Sequence, residues 1–427
     1  MPVAIMRLQF EGIRCFSTAQ DAVIRPLTLL VGENSSGKST FLALCQLASS
    51  LTGGFAQEFP FNEPPFLLGA YDQIASYRGG RGGRAKSFSI GVTAGNDPRS
   101  GSIRTEFVSR NGQPSLSTWR LAVEGLVWQA IAKGDDEFAV VLESPQGMQE
   151  ISQAQPHAFF QLSNVPSKYW ADFLGSKTPI TVFSQSDMNS LQHTLDSIRK
   201  SFGRGTYGFA PIRTSPQRTY DPVSAEPKPE GSHVPMLLAS LSHSPANTQW
   251  DTLRSALTEF GSESGLFEEI EVIRKGKKES DPFQVGVRSG GPAFNLVDVG
   301  YGVSQALPIL VDILQRSGSN EVFLLQQPEV HLHPRAQAEL GSFFARQARK
   351  RGRFVVETHS DYLVDRVRME MRRGRLRPED VSLLYFEQQK HGAVIYNLDL
   401  DKTGGIANPP VGYRRFFLKE ERDLLGV

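Results

Sequence analysis

The stretch Gly32-Glu33-Asn34-Ser35-Ser36-Gly37-Lys38-Ser39-Thr40 has the spacing G-x-x-x-x-G-K-[ST]. It follows the apolar run Leu27-Thr28-Leu29-Leu30-Val31, which reads as a buried strand, and precedes Phe41-Leu42-Ala43-Leu44-Cys45, the start of a helix. In that strand–loop–helix setting the loop is a phosphate cradle, because its backbone N–H groups and the positive end of the helix face the phosphates. Lys38 then reaches the β- and γ-phosphates, and the Ser39 hydroxyl ligates Mg²⁺. The chemistry expected is binding of a nucleoside triphosphate with its metal.

Three further segments carry groups suited to the same substrate. Asp298-Val299-Gly300-Tyr301-Gly302-Val303-Ser304-Gln305 is a glycine-rich turn opening the apolar helix Ala306–Leu314. A serine and free amides at a helix start form a second anion site. Since Lys38 already serves one phosphate cluster, this site invites the nucleotide of another subunit. The run Val322–Leu325 ends in Gln326-Gln327-Pro328-Glu329-Val330-His331-Leu332-His333-Pro334. Nucleotide-hydrolysing sheets present the acid that holds Mg²⁺ at such a strand end. The run Phe354–Val356 ends in Glu357-Thr358-His359-Ser360-Asp361, and an imidazole there can hydrogen-bond a γ-phosphate. His331 and His333 lack the cysteine or histidine companions of a metal site and are expected to be structural.

The elements that must position these groups follow from pattern. Met6–Phe10 alternates as a half-buried strand, and strand-like runs such as Ser87–Val92, Ile103–Val108 and Glu137–Leu142 suggest an antiparallel meander between Lys86 and Ser144. Asp187–Phe202 and Thr248–Phe260 carry helical spacing on either side of a Pro-, Ser- and Gly-rich tract, Thr214–Ser232. After Phe283 the pattern returns to α/β alternation, with helices over Pro334–Lys350 and Ser360–Arg373 and a hairpin over Val381–Phe386 and Ala393–Leu398. The division expected is an N-terminal part at 1–145, a mostly helical insertion at 146–283 and a C-terminal part at 284–427. At 427 residues the chain exceeds one ordinary core. Its 39% hydrophobic and 21% charged content is that of a soluble globular protein, expected in the cytoplasm and off the membrane. Cys15 and Cys45 are its only cysteines and are expected to be reduced. A net charge of +1 does not advertise a nucleic-acid binder. Three basic stretches, Arg78–Lys86, Arg274–Lys278 and Arg372–Arg377, read as solvated faces first and as nucleic-acid sites second.

Taken together, Gly32–Thr40, Gly300–Gln305, Leu324–Pro334 and Glu357–Asp361 resemble the ABC-type ATPase heads of the RecF/SMC/OLD-like group. The resemblance is closest to prokaryotic stand-alone AAA family ATPases that carry PEVHLHP and ETHSD segments. Ala210–Tyr220 and Asn408–Phe417 are similar to further segments of those proteins. The resemblance implies an α/β fold: a bilobal P-loop NTPase head with an antiparallel β lobe and a mostly helical insertion. It implies a head-to-tail homodimer with ATP and Mg²⁺ sandwiched between subunits, Lys38 and Ser39 of one facing Ser304 and Gly302 of the other. It also implies His359 as switch histidine, Gln73 as the glutamine contacting metal and water, and a role for Arg213 at the phosphates or in a structural ion pair. The setting implied is phage defence or DNA-damage processing beside a separately encoded nuclease or toxin.

One departure matters. Proteins of the resembled group usually carry an acid where this chain has Gln326, which with Gln327 leaves two neutral amides and the nearby Glu329. An amide cannot supply a metal's negative ligand or accept a proton from water. Gln326 is therefore either an engineered substitution that traps the ATP state or the mark of a naturally slow hydrolase. Other functions are weighed against the switch. A fused nuclease would need more chain than follows Asp361, and Asp399-Leu400-Asp401 reads as a polar loop. A transporter subunit fits the middle segment poorly. A RecF-like DNA binder would use Arg78, Arg81 and Arg84.

Overall fold

The computed structural model describes residues 6–53, 59–80, 82–95, 101–134, 138–154, 169, 180–202, 205–223, 226–243, 248–278 and 280–413. Glu137, Arg81 and Arg414–Phe417, named above, lie outside them. The chain divides into two compact units elsewhere than its composition suggests. One comprises 1–206, 382–399 and 408–427, and the other 207–381 and 400–407. The stretch expected as a 146–283 insertion is thus shared between the two units.

The first unit is built on an eight-stranded antiparallel sheet. Its strands run in the order Gly147–Ala154, Phe138–Ser144, Leu126–Ala132, Gln113–Val123, Ser102–Arg110, Ser87–Ala94, Met6–Glu11 and Gln20–Ile24. Alternation decides which face is core: Ile103, Thr105 and Phe107 are buried, whereas Arg104 is exposed. The helix Gln185–Phe202 buries Leu191, Leu195 and Ile198. Phe61, Phe88 and Phe107 pack with ring centroids 5.2–5.9 Å apart.

The phosphate-loop strand Leu27–Gly32 is buried at every position, as its unbroken apolar run requires. It lies beside Val381–Gln389, which forms an antiparallel hairpin with Gly392–Leu400. Phe41, on the helix Lys38–Gly53, packs on Phe386 at 5.6 Å, and Phe16 packs on Phe10 at 5.0 Å. Gly32 has φ +137°, and a Cβ there would lie 2.2 Å from the Phe386 carbonyl oxygen. Gly32→Ala is expected to destabilise the protein by about 3 kcal/mol or more, since backbone strain adds to an unavoidable clash. Urea unfolding measures this, and an unchanged midpoint would contradict the geometry.

In the second unit, Val322–Gln326 and Arg353–Glu357 pair in parallel, flanked on the first strand's other side by Thr206–Phe209. The helix Pro334–Arg349 connects the parallel pair; Pro334 occupies its first turn and His333 caps it, Nδ1 accepting the Ala336 N–H at 3.4 Å. The helix Asp361–Arg372 is capped by Ser360, whose Oγ accepts the Leu363 N–H at 3.1 Å. Helix Thr248–Ser264 packs Phe260 on Phe343 at 5.9 Å, and Glu269–Arg274 and Phe283–Arg288 form a hairpin.

Candidate functional site

In the first unit the loop after Leu27–Gly32 turns through Ser35 at φ +61° and Gly37 at φ +97°. Lys38 is buried, and its Nζ donates to the carbonyls of Gly32 at 2.8 Å and Glu33 at 2.6 Å. Ser36 closes the turn, its Oγ donating to the Glu33 carbonyl at 2.7 Å. Asn34, Ser35 and Gly37 donate no N–H to any acceptor among the described residues. Three unspent amides beside a held ammonium suit a polyphosphate. Ser39 is exposed at the start of the helix, and Thr40 is buried.

Gln73 lies in the short helix Tyr71–Ile74, and its Oε1 accepts the Ala70 N–H at 3.0 Å. Its side-chain oxygen is therefore engaged within its own turn. The residue that ties its loop to the cradle is Arg14, which the sequence reading passed over. Its Nη1 donates to Thr40 Oγ1 at 3.3 Å, its Nη2 to the Leu68 carbonyl at 3.0 Å and its Nε to the Gln73 carbonyl at 3.4 Å. Burial pulls this guanidinium below its ordinary pKa. The only signal in sequence is a cation just after the first strand. Cys15 is half-buried, its thiol pushed up to about 11 by burial, and Cys45 is buried and pushed up further. Neither is an activated thiolate.

The second unit brings the other three segments together. Gly300 caps the helix Tyr301–Gln315, Tyr301 is 65% exposed, and its ring lies 5.7 Å from that of His331. Gly302 leaves room for the neighbouring loop, since a Cβ would meet the His331 carbonyl at 3.1 Å. Ser304 is buried, its Oγ donating to the Tyr301 carbonyl at 3.0 Å. Gln326 stands in register with Glu357 at the parallel strand ends, and the Gln327 N–H donates to the Glu357 carbonyl at 2.9 Å. Glu329 is buried and accepts the His359 backbone N–H at 2.7 Å, so this carboxylate holds the histidine loop. Burial raises its pKa, reinforced by the like charge of Glu357 and opposed by the His359 amide.

Arg213 joins these segments. It is 3% exposed; its N–H donates to Gln305 Oε1 at 3.3 Å and its Nη2 to the Gln326 carbonyl at 3.5 Å. Burial pulls its pKa down to about 10, opposed by attraction to Glu329, so it stays cationic. Its Nε and Nη1 have no hydrogen-bond partner among the described residues. Asp401 is a turn former: its Oδ1 accepts the N–H groups of Thr403 and Gly405 at 2.7 and 2.8 Å. Among the described residues no group of three or more His, Cys, Asp or Glu side chains is placed to hold a metal. In the first unit a divalent ion would depend on nucleotide phosphates together with the Ser39 hydroxyl. No helix of the described residues is long and apolar enough to cross a membrane.

No curated protein matches the chain in sequence. Solved structures with a similar arrangement include an Smc head bound to the C-winged helix domain of ScpA, at 11% identity, covering 93% of this chain and 98% of that one, TM-score 0.46. The SMC head domain from Thermotoga maritima, at 11% identity, covers 93% and 99% with TM-score 0.41. An Smc head with an extended coiled coil from Pyrococcus furiosus, bound to the C-terminal domain of ScpA, is 11% identical, covering 99% and 98% with TM-score 0.43. The family described as "AAA domain, putative AbiEii toxin, Type IV TA system" matches residues 27–365, a span running from the phosphate-loop strand past the histidine segment, and the chain belongs to it.

Proposed function

We propose that the chain is an ATP-binding, ATP-hydrolysing switch that dimerises head-to-tail around the nucleotide and controls a separately encoded effector. The observation that carries this reading is the phosphate loop, with its three unengaged amides and held Lys38. Lys38 and the loop amides bind the phosphates of ATP, and Ser39 supplies a hydroxyl to Mg²⁺. Ser304 and Gly302 open a helix whose first turn faces solvent at Gly300 and Tyr301. That exposure suits a contact with the nucleotide of a second copy. ATP favours the closed pair only because both copies contact it there. The effector is a nuclease or toxin acting in antiviral defence; the family's description, which names a toxin and a toxin–antitoxin system, supports this setting. With Gln326 in place of an acid, water activation is impaired and the closed state persists.

Light scattering after size exclusion, with and without ATP and Mg²⁺, tests the reading. The chain is expected to shift from monomer to dimer on ATP. Ser304→Arg and the surface change Tyr301→Arg are each expected to abolish the shift while ATP still binds. Persistent ATP-dependent dimers in Tyr301→Arg, or dimers indifferent to ATP, would refute the shared site.

A further inference from the structure

Two of the three basic stretches have different fates. Arg373 and Arg375 pair with the buried Glu370 carboxylate at 2.9 and 3.0 Å, and Arg377 pairs with Asp380 at 2.8 Å. That stretch is consumed by its own acids. Residues of Arg78–Lys86 instead border a cavity of about 720 Å³ on the solvent face of the eight-stranded sheet, within the first unit. Across that face Gly91, Arg104, Arg120 and Gln129 stand in one register row. Two guanidinium side chains therefore lie directly opposite each other on neighbouring strands, an arrangement that destabilises a sheet when uncompensated.

The compensation at hand is thin. Arg104 Nη2 donates to Ser89 Oγ at 3.0 Å and lies 4.0 Å from Glu11 Oε2. The Arg120 guanidinium makes no hydrogen bond or ion pair among the described residues. Glu106, on the adjoining row opposite Thr118, adds one negative charge. Arg84 lines the rim, its Nη1 on the Ala75 carbonyl at 2.9 Å and its guanidinium 5.0 Å from the Tyr77 ring centre. Arg78 is tied to the Ser17 carbonyl. The lining thus sets four arginines against two glutamates, in a chain whose net charge is only +1.

We propose that this cleft binds phosphate esters, with Arg104 and Arg120 as a paired anion contact and Arg84 at its rim. A planar guanidinium matches phosphate oxygens bidentately, and two facing ones gain most from a shared anion because it also cancels their repulsion. The volume falls within the usual range for small-ligand sites, about 300–1,000 Å³. Free nucleotides and the backbone of a nucleic-acid strand share this chemistry. The site is separate from the phosphate loop and does not depend on ATP hydrolysis.

The test uses the full chain with Lys38→Ala, so that the phosphate loop does not take up nucleotide. It is titrated with a fluorescent single-stranded oligonucleotide and, separately, with a fluorescent mononucleotide. Binding of at least one is expected, weakened about tenfold or more by Arg104→Gln with Arg120→Gln, as two charge-assisted contacts require. For the oligonucleotide the log–log salt slope should fall by about 1.4, at about 0.7 per phosphate contact on a single strand. Arg104→Lys with Arg120→Lys should recover part of the affinity, and Arg120→Gln alone, an exposed change, guards against a folding artefact. Loss confined to one ligand identifies the source of the phosphate. No binding of either ligand, or binding unaffected in both glutamine variants, overturns the proposal.

Discussion

Gln326→Glu is expected to raise ATP turnover by about 10²-fold or more, the scale of a positioned general base, with ATP affinity nearly unchanged. Position 326 is the last residue of a parallel strand, half-buried and in register with Glu357. A carboxylate there would sit near the buried Glu329 and Glu357. Burial and like charge would raise its pKa above that of an exposed carboxylate, strengthening it as a base. Arg213, whose Nη2 reaches the Gln326 carbonyl, keeps the cluster from becoming purely anionic. Phosphate release under saturating ATP measures the turnover, and an equilibrium titration measures the affinity. Equal turnover in both forms would place the base elsewhere, with Glu357 the next carboxylate to replace.

Lys38→Ala is expected to weaken ATP binding by about 10²-fold or more, equivalent to about 3 kcal/mol of charge-assisted hydrogen bonding. The ammonium also ties the carbonyls of Gly32 and Glu33, so its loss loosens the loop that must present its amides together. Calorimetric titration is the direct measurement. The rise in melting temperature that ATP confers should vanish, while the ligand-free melting temperature changes little. An ATP-dependent rise that survives the substitution would move the nucleotide away from this loop.

Local signals made much of the fold legible. The apolar run Leu27–Val31, the capped helix at Pro334 and the alternating strand at Ser87 announce themselves within a few residues, and each forms where expected. The division into units was not legible, because compactness follows sheet closure rather than composition. The hairpin Val381–Leu400 supplies strands to the unit that holds the phosphate loop, after about 350 residues of intervening chain. The hairpin Glu269–Arg288 was hidden by its charges, although Ile270 and Val285 alternate inward. Site residues were legible where a motif imposes them. Arg14 and Glu357 were not, since their roles arise from partners distant in sequence, such as Thr40 for Arg14. Arg213 was noticed only through resemblance. Its contacts with Gln305 and Gln326 span 92 and 113 residues.

Pro308 lies inside the helix Tyr301–Gln315, and its ring has no N–H to offer the carbonyl four residues earlier, that of Ser304. Gly231, at φ +78°, lets a loop press on that ring, since a Cβ would come within 2.4 Å of it. The rod that begins at Gly300 therefore lacks one rung just behind its tip. Its leading turn is joined to the shaft by one main-chain hydrogen bond fewer than an unbroken helix would give it.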